Sequence, residues 1–293
     1  YGDGLFETMR IEAGQVLYWP YHWRRLQKGC ERLAIPLPDQ GLLQSEMDAL
    51  VSDTKQAVLK LILTRGAGER GYATPVPSHP SRILMLSDRP AHPETFRQSG
   101  VRVYSCQTRL GINPSLAGIK HLNRLEQVLA RNEWQGQEYQ EGLLKDMEWH
   151  IIEGTMSNVF WFKNSRLYSP DLSRCGVEGV MREIVMQLWK ANAIPLNIGR
   201  WPESDVIDAD EIFITNSLNK YTIIPSTGNP SFTIQKTAAS IGFIDFPAAS
   251  KTGGFTFTAV TNFAARDVLS VVAPADTNSM EGLIFNLTGS LIF

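Results

Sequence analysis

The sequence has no apolar run near the roughly 18–20 residues that a helix needs to cross a bilayer, so no membrane span is expected. It also has no cluster of Lys and Arg. Its 28 basic and 30 acidic side chains leave a formal charge of −2, which argues against a nucleic acid or an anionic membrane surface as the main partner. Only three cysteines occur, Cys30, Cys106 and Cys175, widely spaced and without a CxxC pair. That pattern excludes a disulfide framework, disfavours a zinc site and fits a reduced cytoplasm; no metal site is expected. The start, Tyr1-Gly2-Asp3-Gly4, has neither the basic nor the apolar region of a signal peptide and does not begin with Met. The first coding residues are expected to lie upstream.

What is present is a globular mixture, 43% hydrophobic and 20% charged, outside the range of disordered chains. A length of 293 residues suits one large or two medium domains. Leu5 to Ile11 reads as a strand, Gly14 as a turn and Gln15 to Trp19 as the returning strand. Pro20 sits where a helix begins, and Trp23, Leu26, Cys30 and Leu33 recur at helical spacing. A second helix is expected over Gln40 to Val51. Val58 to Thr64 and Arg82 to Leu86 read as buried strands around a Gly-, Arg- and Pro-rich loop, Arg65 to Ser81. Val101 to Cys106 is a further strand, and Leu110 to Gly118 a Pro/Gly-bearing connector.

Beyond the connector, Leu122 to Trp134 is expected to be helical with Leu122, Leu125, Val128 and Leu129 on one stripe. Short strands follow at Gly142–Lys145, His150–Glu153, Asn158–Phe162 and Leu167–Ser169, then a helix at Met181–Ala191 and a strand at Glu211–Thr215. Composition shifts near Lys236: only six charged residues occur among the 57 from Thr237 to Phe293. This tail reads either as a small packed appendage or as a sequence foreign to the domain.

Five features could carry chemistry. Lys120 stands at the junction of an apolar loop and a helix start, where desolvation would lower its amine pKa and make it a nucleophile. Spacing alone fits an ordinary surface lysine better, although a lysine there opposes the helix dipole. Glu153 ends an apolar strand before a glycine turn, a place also typical of exposed carboxylates. Cys175-Gly176-Val177-Glu178-Gly179-Val180-Met181-Arg182 leads into a helix whose free N–H groups suit an anion such as phosphate. Arg25 follows His22 by one turn and, by itself, reads as a solvated face. The loop Thr64 to Tyr72 places Arg65, Arg70 and Tyr72 where they suit carboxylate capture or form plain surface.

Their order is the stronger signal. A GDG-x-F-E-T strand, a His-x-x-Arg-Leu helix, an RGY loop, Lys120, an EG-T-x-S-N-x-F strand beginning at Glu153 and a G-V-x-G-x-M-R helix start follow one another. The series resembles the fold-type IV pyridoxal-phosphate enzymes, a group that includes branched-chain and D-amino-acid aminotransferases. Within it, the run Asn113-Pro114-Ser115-Leu116-Ala117-Gly118-Ile119-Lys120-His121-Leu122-Asn123-Arg124-Leu125-Glu126-Gln127-Val128-Leu129 is similar to the 4-amino-4-deoxychorismate lyases. The resemblance covers residues 1 to 235. Members carry about 20 residues before the position of Tyr1 and end soon after that of Lys236, so the tail departs from the pattern. The turn Asn219–Thr222 also reads as longer than its equivalent.

The resemblance implies an α/β (α+β) fold of two domains. Residues 1–109 would form a smaller N-terminal α/β sandwich, 110–118 the connector, and 119–236 a larger barrel-like domain that binds pyridoxal 5′-phosphate. The tail, 237–293, has no counterpart. By the same resemblance Lys120 links covalently to the cofactor and then acts as acid and base, with Glu153 paired to the pyridine nitrogen. Arg25, the amides of Val180 and Met181, and the strand end Thr215-Asn216 would hold the phosphate. Thr8 offers a hydroxyl where transaminase relatives tend to have apolar or glycine residues; it is a catalytic candidate, with an outward-facing structural Thr as the alternative. Tyr72 and Arg70 are candidates for substrate carboxylate contacts, whereas Phe6, Asn158 and His121 read as structural. The implied activity is a cytoplasmic, homodimeric lyase that converts 4-amino-4-deoxychorismate to 4-aminobenzoate and pyruvate. An aminotransferase of D- or branched-chain amino acids, or a truncated non-catalytic product, are the alternatives.

Overall fold

The computed structural model describes residues 1–91, 93, 96, 100–136, 138–164, 166–191 and 195–218, together with the backbone of 220–223, 231–236, 239–245, 254–257 and 269–272. The chain opens with the hairpin β1 (Gly4–Glu12) and β2 (Gln15–Val16). Ala13 and Gly14 join them at φ 48° and 74°, the paired left-handed residues that a two-residue type I′ turn requires. Helices α1 (Trp19–Leu33) and α2 (Gln40–Val51) follow, and then strands β3 (Gln56–Thr64) and β4 (Ser81–Ser87). The four strands form one antiparallel sheet in the order β2-β1-β3-β4.

One face of this sheet packs on the helices because β1 and β3 alternate. Leu5, Met9 and Ile11 of β1, with Leu59, Leu61 and Leu63 of β3, are buried against Trp23, Leu26 and Cys30 of α1 and Leu43 and Met47 of α2. Asp39 caps α2 by accepting the Leu42 N–H (2.7 Å), which satisfies one of the free donors at the helix start. A charged residue, Glu7, occupies an inward position of β1 among these apolar ones.

The second half is built on two more sheets. Strand β5 (Val103–Leu110) runs parallel to β6 (Glu141–Asp146), which pairs antiparallel with β7 (Ile151–Gly154). A five-stranded sheet has the order β10-β9-β8-β11-β12. It comprises β8 (Asn158–Lys163), β9 (Arg166–Pro170), β10 (Leu196–Gly199), β11 (Glu211–Thr215) and β12 (Lys220–Ile223). Helices α3 (Leu125–Arg131), α4 (Val180–Ala191) and α5 (Glu203–Ile207) lie among these strands. Strand β13 (Ser231–Lys236), just before the tail, and β14 (Ala239–Asp245), β15 (Gly254–Phe257) and β16 (Leu269–Val272) within it make a separate antiparallel sheet. The mixed α/β class expected from the sequence is observed. No helix among the described residues is long and apolar enough to cross a membrane.

Three expectations change. The returning strand stops at Val16, because Tyr18 turns the chain at φ 59° and Trp19 already belongs to α1. Arg82–Leu86 is not buried: β4 is a sheet edge, and Ile83, Met85 and Leu86 are exposed while Leu84 packs on the core. The helix expected over Leu122–Trp134 is shorter, since Leu122 instead donates its N–H to the Gly4 carbonyl (3.0 Å). Its apolar stripe of Leu125, Val128 and Leu129 is exposed in the single chain. Of the turn read at Asn219–Thr222, Asn219 lies outside the described residues, and so does most of 237–293 beyond the strands named above.

Leu61→Ala should cost about 2–5 kcal/mol, as for other fully buried leucines, whereas Ile83→Ser on the exposed face should stay within about 0.5 kcal/mol of wild type. Urea denaturation of the two variants measures both; equal losses would contradict this assignment of the sheet faces.

Candidate active site

The segment carrying Lys120 is extended and held from both sides. The Phe6 N–H of β1 donates to the Lys120 carbonyl (3.0 Å), and the Leu122 N–H to Gly4. On the other flank, the Gly118 N–H donates to the Gly176 carbonyl (2.9 Å), and the Glu178 N–H to Gly118 (3.0 Å). Gly118 is at φ +79°, a left-handed conformation that glycine adopts without strain. Lys120 therefore does not sit at a helix start as the sequence suggests; α3 begins five residues later. Arg124 secures the carbonyls on either side of it, with Nη2 donating to Ile119 (3.0 Å) and Nε to His121 (2.9 Å).

The Lys120 amine lies 4.4 Å from the Phe6 ring centroid. Burial, reinforced by the charges of Arg25 and Arg124 and opposed by Glu7 and Glu153, brings its pKa down to about 7. An amine that is substantially neutral at physiological pH is a competent nucleophile and base. The neighbouring His121 is pushed down to about 4, by burial first and then by Arg124. It stays neutral near pH 7.

Glu153 is buried on β7. Its Oε2 accepts the Val177 N–H (2.8 Å) and its Oε1 a longer bond from Gln127 Nε2 (3.4 Å). Burial raises its pKa; Arg124, the Val177 amide, Lys120 and Gln127 only partly offset this. The loop that supplies Val177 is tightly shaped. Gly176 is at φ +84°, and a Cβ there would lie 2.7 Å from Ile152 Cγ2. Asn158 Nδ2 donates to the Val177 carbonyl (2.8 Å), the turn-holding role expected for it.

The same loop runs into α4. A Cβ on Gly179 would fall 2.0 Å from Asn158 Oδ1, so only glycine fits at the helix entrance. The N–H groups of Val180 and Met181 open the helix, before any helical acceptor exists. Arg25, read as solvated from sequence, is instead largely buried. It donates to Glu7 through Nε (2.8 Å) and Nη2 (2.5 Å), and to the Glu178 carbonyl through Nη1 (3.2 Å). His22 is likewise buried, its Nδ1 2.6 Å from Glu7 Oε2. Burial alone would raise the Glu7 carboxyl, but Arg25 and then His22 override it and lower it to about 2.

The end of β11 completes the ring. Asn158 and Thr215 are register partners. Thr215 is buried, and its hydroxyl has no partner among the described residues. Asn216 Oδ1 accepts the Leu218 N–H (2.9 Å), and Ser217 donates to the Thr8 carbonyl (2.7 Å). Thr8 is half-buried on the β1 face that also carries Phe6. The fold thus gathers Lys120, Glu153, Arg25, the 176–181 loop, Thr215, Asn216 and Thr8. It does not gather Arg70 and Tyr72: both are exposed, and the Tyr72 ring packs 5.1 Å from that of Tyr1.

Sequence reasoning missed Glu7, His22, Arg124 and Gln127. For Glu7 a signal exists, a lone acid on the apolar face of an alternating strand. Arg124 acts through backbone carbonyls, which leave no mark in a sequence.

This arrangement belongs to a known class. Residues 4–227 match the family model for amino-transferase class IV, and the chain belongs to that family. It is 37% identical over 219 residues to the aminodeoxychorismate lyase of Vibrio harveyi, covering 74% of this chain and 80% of that protein. The crystal structure of 4-amino-4-deoxychorismate lyase from Pseudomonas aeruginosa superimposes with a TM-score of 0.74 at 46% identity, over 76% of this chain and 83% of that one. A hypothetical aminotransferase from Mycobacterium tuberculosis, in a PLP-bound form, shares the fold alone, with a TM-score of 0.66 at 20% identity over 76% and 80% of the two chains.

Amine-reactive labelling of Lys120 in the ligand-free protein should rise through a midpoint near pH 7, against 10.5 for an ordinary lysine. Peptide mass spectrometry across a pH series measures this, and a midpoint at the ordinary value would contradict the enclosed placement of the amine.

Proposed function

We propose that this protein is a pyridoxal-phosphate-dependent lyase that converts 4-amino-4-deoxychorismate to 4-aminobenzoate and pyruvate. The observation that carries the reading is Lys120, an amine tuned to about 7 in one enclosed site with the buried carboxyl of Glu153. The two lyases that match at 37% and 46% identity support the choice of reaction.

The residues fit the cofactor. The unpartnered Thr215 hydroxyl and the opening amides of Val180 and Met181 are donors for a phosphate, and Arg25 adds positive charge. Asn216 borders them at the strand end. Glu153, whose burial disfavours ionisation, gains a charged partner in a protonated ring nitrogen, and this stabilises both. When bound, pyridoxal phosphate supplies the aldehyde that Lys120 links to and the electron sink that carbanion chemistry requires.

The chain's own residues then handle binding and protons. Lys120 Nζ, freed when the substrate amine takes its place, removes the proton from the amine-bearing ring carbon. It afterwards delivers a proton to the departing enolpyruvyl group, which leaves as pyruvate, and the six-membered ring becomes aromatic. Arg124 keeps the Lys120 backbone in place and its charge favours the neutral amine. Thr8, on the β1 face that carries Phe6, offers its hydroxyl to relay or hold the proton. Aromatisation closes the reverse path, so no keto-acid acceptor takes part.

We further propose a two-domain division with residues 110–118 as connector, and a homodimer acting in the cytoplasm. The exposed stripe of Leu125, Val128 and Leu129 beside Lys120 is the kind of apolar surface that a second copy covers. In such a dimer Arg70 and Tyr72, exposed in one chain, reach substrate carboxylates in the partner's pocket.

Incubated with 4-amino-4-deoxychorismate, the cofactor-loaded protein should release pyruvate and 4-aminobenzoate in equal amounts without a keto acid. Keto-acid-dependent turnover alone would establish a transaminase instead. Lys120→Ala should lose the visible absorbance of the loaded protein and about 10²–10⁴-fold in kcat. Glu153→Gln should keep the band and lose about 10²–10³-fold. Wild-type protein that takes up no cofactor would defeat the enzymatic reading.

A further inference from the structure

Glu141 opens β6 and is only 4% exposed, yet it takes no part in the chemistry above. Its carboxylate is turned onto the chain that links β7 to β8. Oε1 accepts the Gly142 N–H (3.0 Å), the Thr155 N–H (3.0 Å) and the Thr155 hydroxyl. Oε2 accepts the Ser157 hydroxyl (2.8 Å) and the Met156 N–H (3.3 Å). Five donors take up the whole acceptor capacity of two carboxylate oxygens, so Glu141 has nothing left to offer a ligand. It is also packed directly on the turn, since a Cβ on Gly154 would fall 3.0 Å from Glu141 Cδ.

This turn separates Glu153 from Asn158, both of them buried. The two side chains hold one residue by its two backbone groups: Glu153 Oε2 accepts the Val177 N–H (2.8 Å), and Asn158 Nδ2 donates to the Val177 carbonyl (2.8 Å). Both bonds form together only if the separation of Glu153 and Asn158 matches the span of that residue. Within the turn, the Gly154 N–H donates to the Ser157 carbonyl (2.7 Å), and Glu141 gathers the remaining donors. Without that carboxylate the buried hydroxyls of Thr155 and Ser157 lose their acceptor, and the turn opens toward water to satisfy them.

We propose that Glu141 is a positioning residue for the cofactor site: by holding the 154–157 turn it sets the spacing of Glu153 and Asn158, and so aims the Glu153 carboxyl. This rests on the reading of Glu153 as the partner of the cofactor's ring nitrogen and deepens it. Glu153 has only the Val177 amide and a long contact from Gln127 to fix its two oxygens. Its direction therefore depends on where Val177 lies, and Asn158 holds Val177 from the other end of the same turn. The loop that carries Val177 continues through Glu178, whose carbonyl receives Arg25 (3.2 Å), into the start of α4. A displaced turn thus disturbs the ring-nitrogen acid first and the phosphate end after it.

Titration of the ligand-free protein with pyridoxal phosphate, followed by its visible band, tests the proposal in Glu141→Gln, Glu141→Asp and Ser157→Ala. Glu141→Gln puts an amide group among donors and should weaken cofactor binding about 10–100-fold, the scale on which groups that orient a ligand-holding side chain act in metal sites. Its circular dichroism should be unchanged, and exchange of the Val177 amide hydrogen should quicken. Glu141→Asp keeps both acceptor oxygens and should recover part of the loss. Ser157→Ala removes one donor, should show the same pattern at smaller amplitude, and decides the matter if Glu141→Gln does not fold. In a Glu153→Gln background the Glu141→Gln effect should shrink severalfold, because a residue that acts through Glu153 is not additive with it. Unaltered cofactor affinity overturns the proposal, as does an equal loss in both backgrounds, which would make Glu141 a residue of fold stability only. Wild-type protein that takes up no cofactor overturns the enzymatic reading and this inference with it. Loaded wild-type protein that releases no pyruvate overturns the lyase reaction alone, and the affinities still decide the role of Glu141.

Discussion

The site depends on the two-sided pinning of the segment from Gly118 to Leu122. On one flank it continues the hydrogen bonding of β1, and on the other it is tied to the loop that precedes α4. Four backbone hydrogen bonds and the Arg124 clamp on Ile119 and His121 remove most of the freedom that an isolated loop would keep. A reactive amine must be held close to its target to gain the advantage of proximity, and a lysine side chain has four flexible bonds to lose. Fixing the backbone beneath it, and enclosing the amine beside Phe6, restricts that search. The same pinning brings Val177 to Glu153 and Glu178 to Arg25, so both side chains are positioned by the loop that also holds the Lys120 segment.

Charge in the interior is handled in two opposite ways. Glu7 is fully compensated: Arg25 and His22 hold it ionised despite burial, and its carboxyl falls to about 2. That pair fixes the Arg25 guanidinium at the mouth of the helix start, because a bidentate contact sets both its position and its plane. Glu153 is under-compensated, with one amide, one long contact from Gln127 and more distant charges, and its pKa goes up. Lys120 goes down for the same reason, desolvation. Two groups pushed toward their neutral forms differ in kind from the Glu7–Arg25 ion pair, in which each charge stabilises the other.

Large parts of this were legible in the sequence because they are local. Alternation in Leu5–Ile11, the helical spacing of Trp23, Leu26 and Cys30, and the glycines before α4 each report a nearby backbone geometry, and the observed elements fall within a few residues of those readings. Glu153 before its glycine and Lys120 in its apolar setting were recognisable as candidates for the same reason. The misreadings came where burial depends on distant partners. Arg25 and His22 lie on a helix face that looks solvated until β1 supplies Glu7 beneath them. Arg82–Leu86 looks like a core strand until its place at the sheet edge leaves Ile83 and Met85 outside.

The sequence alone determined the residue types, their order, and the secondary structure that short-range periodicity dictates; the order of motifs was enough to name a family resemblance. Only the tertiary structure decided which of those residues lie together, how far each is desolvated, and hence which way each pKa moves. The physical reason is that electrostatic and solvation energies depend on distances between groups 33 residues apart, as with Lys120 and Glu153, or 52 apart, as with Thr8 and Lys60. No local pattern encodes those distances, whereas chain folding sets them all at once.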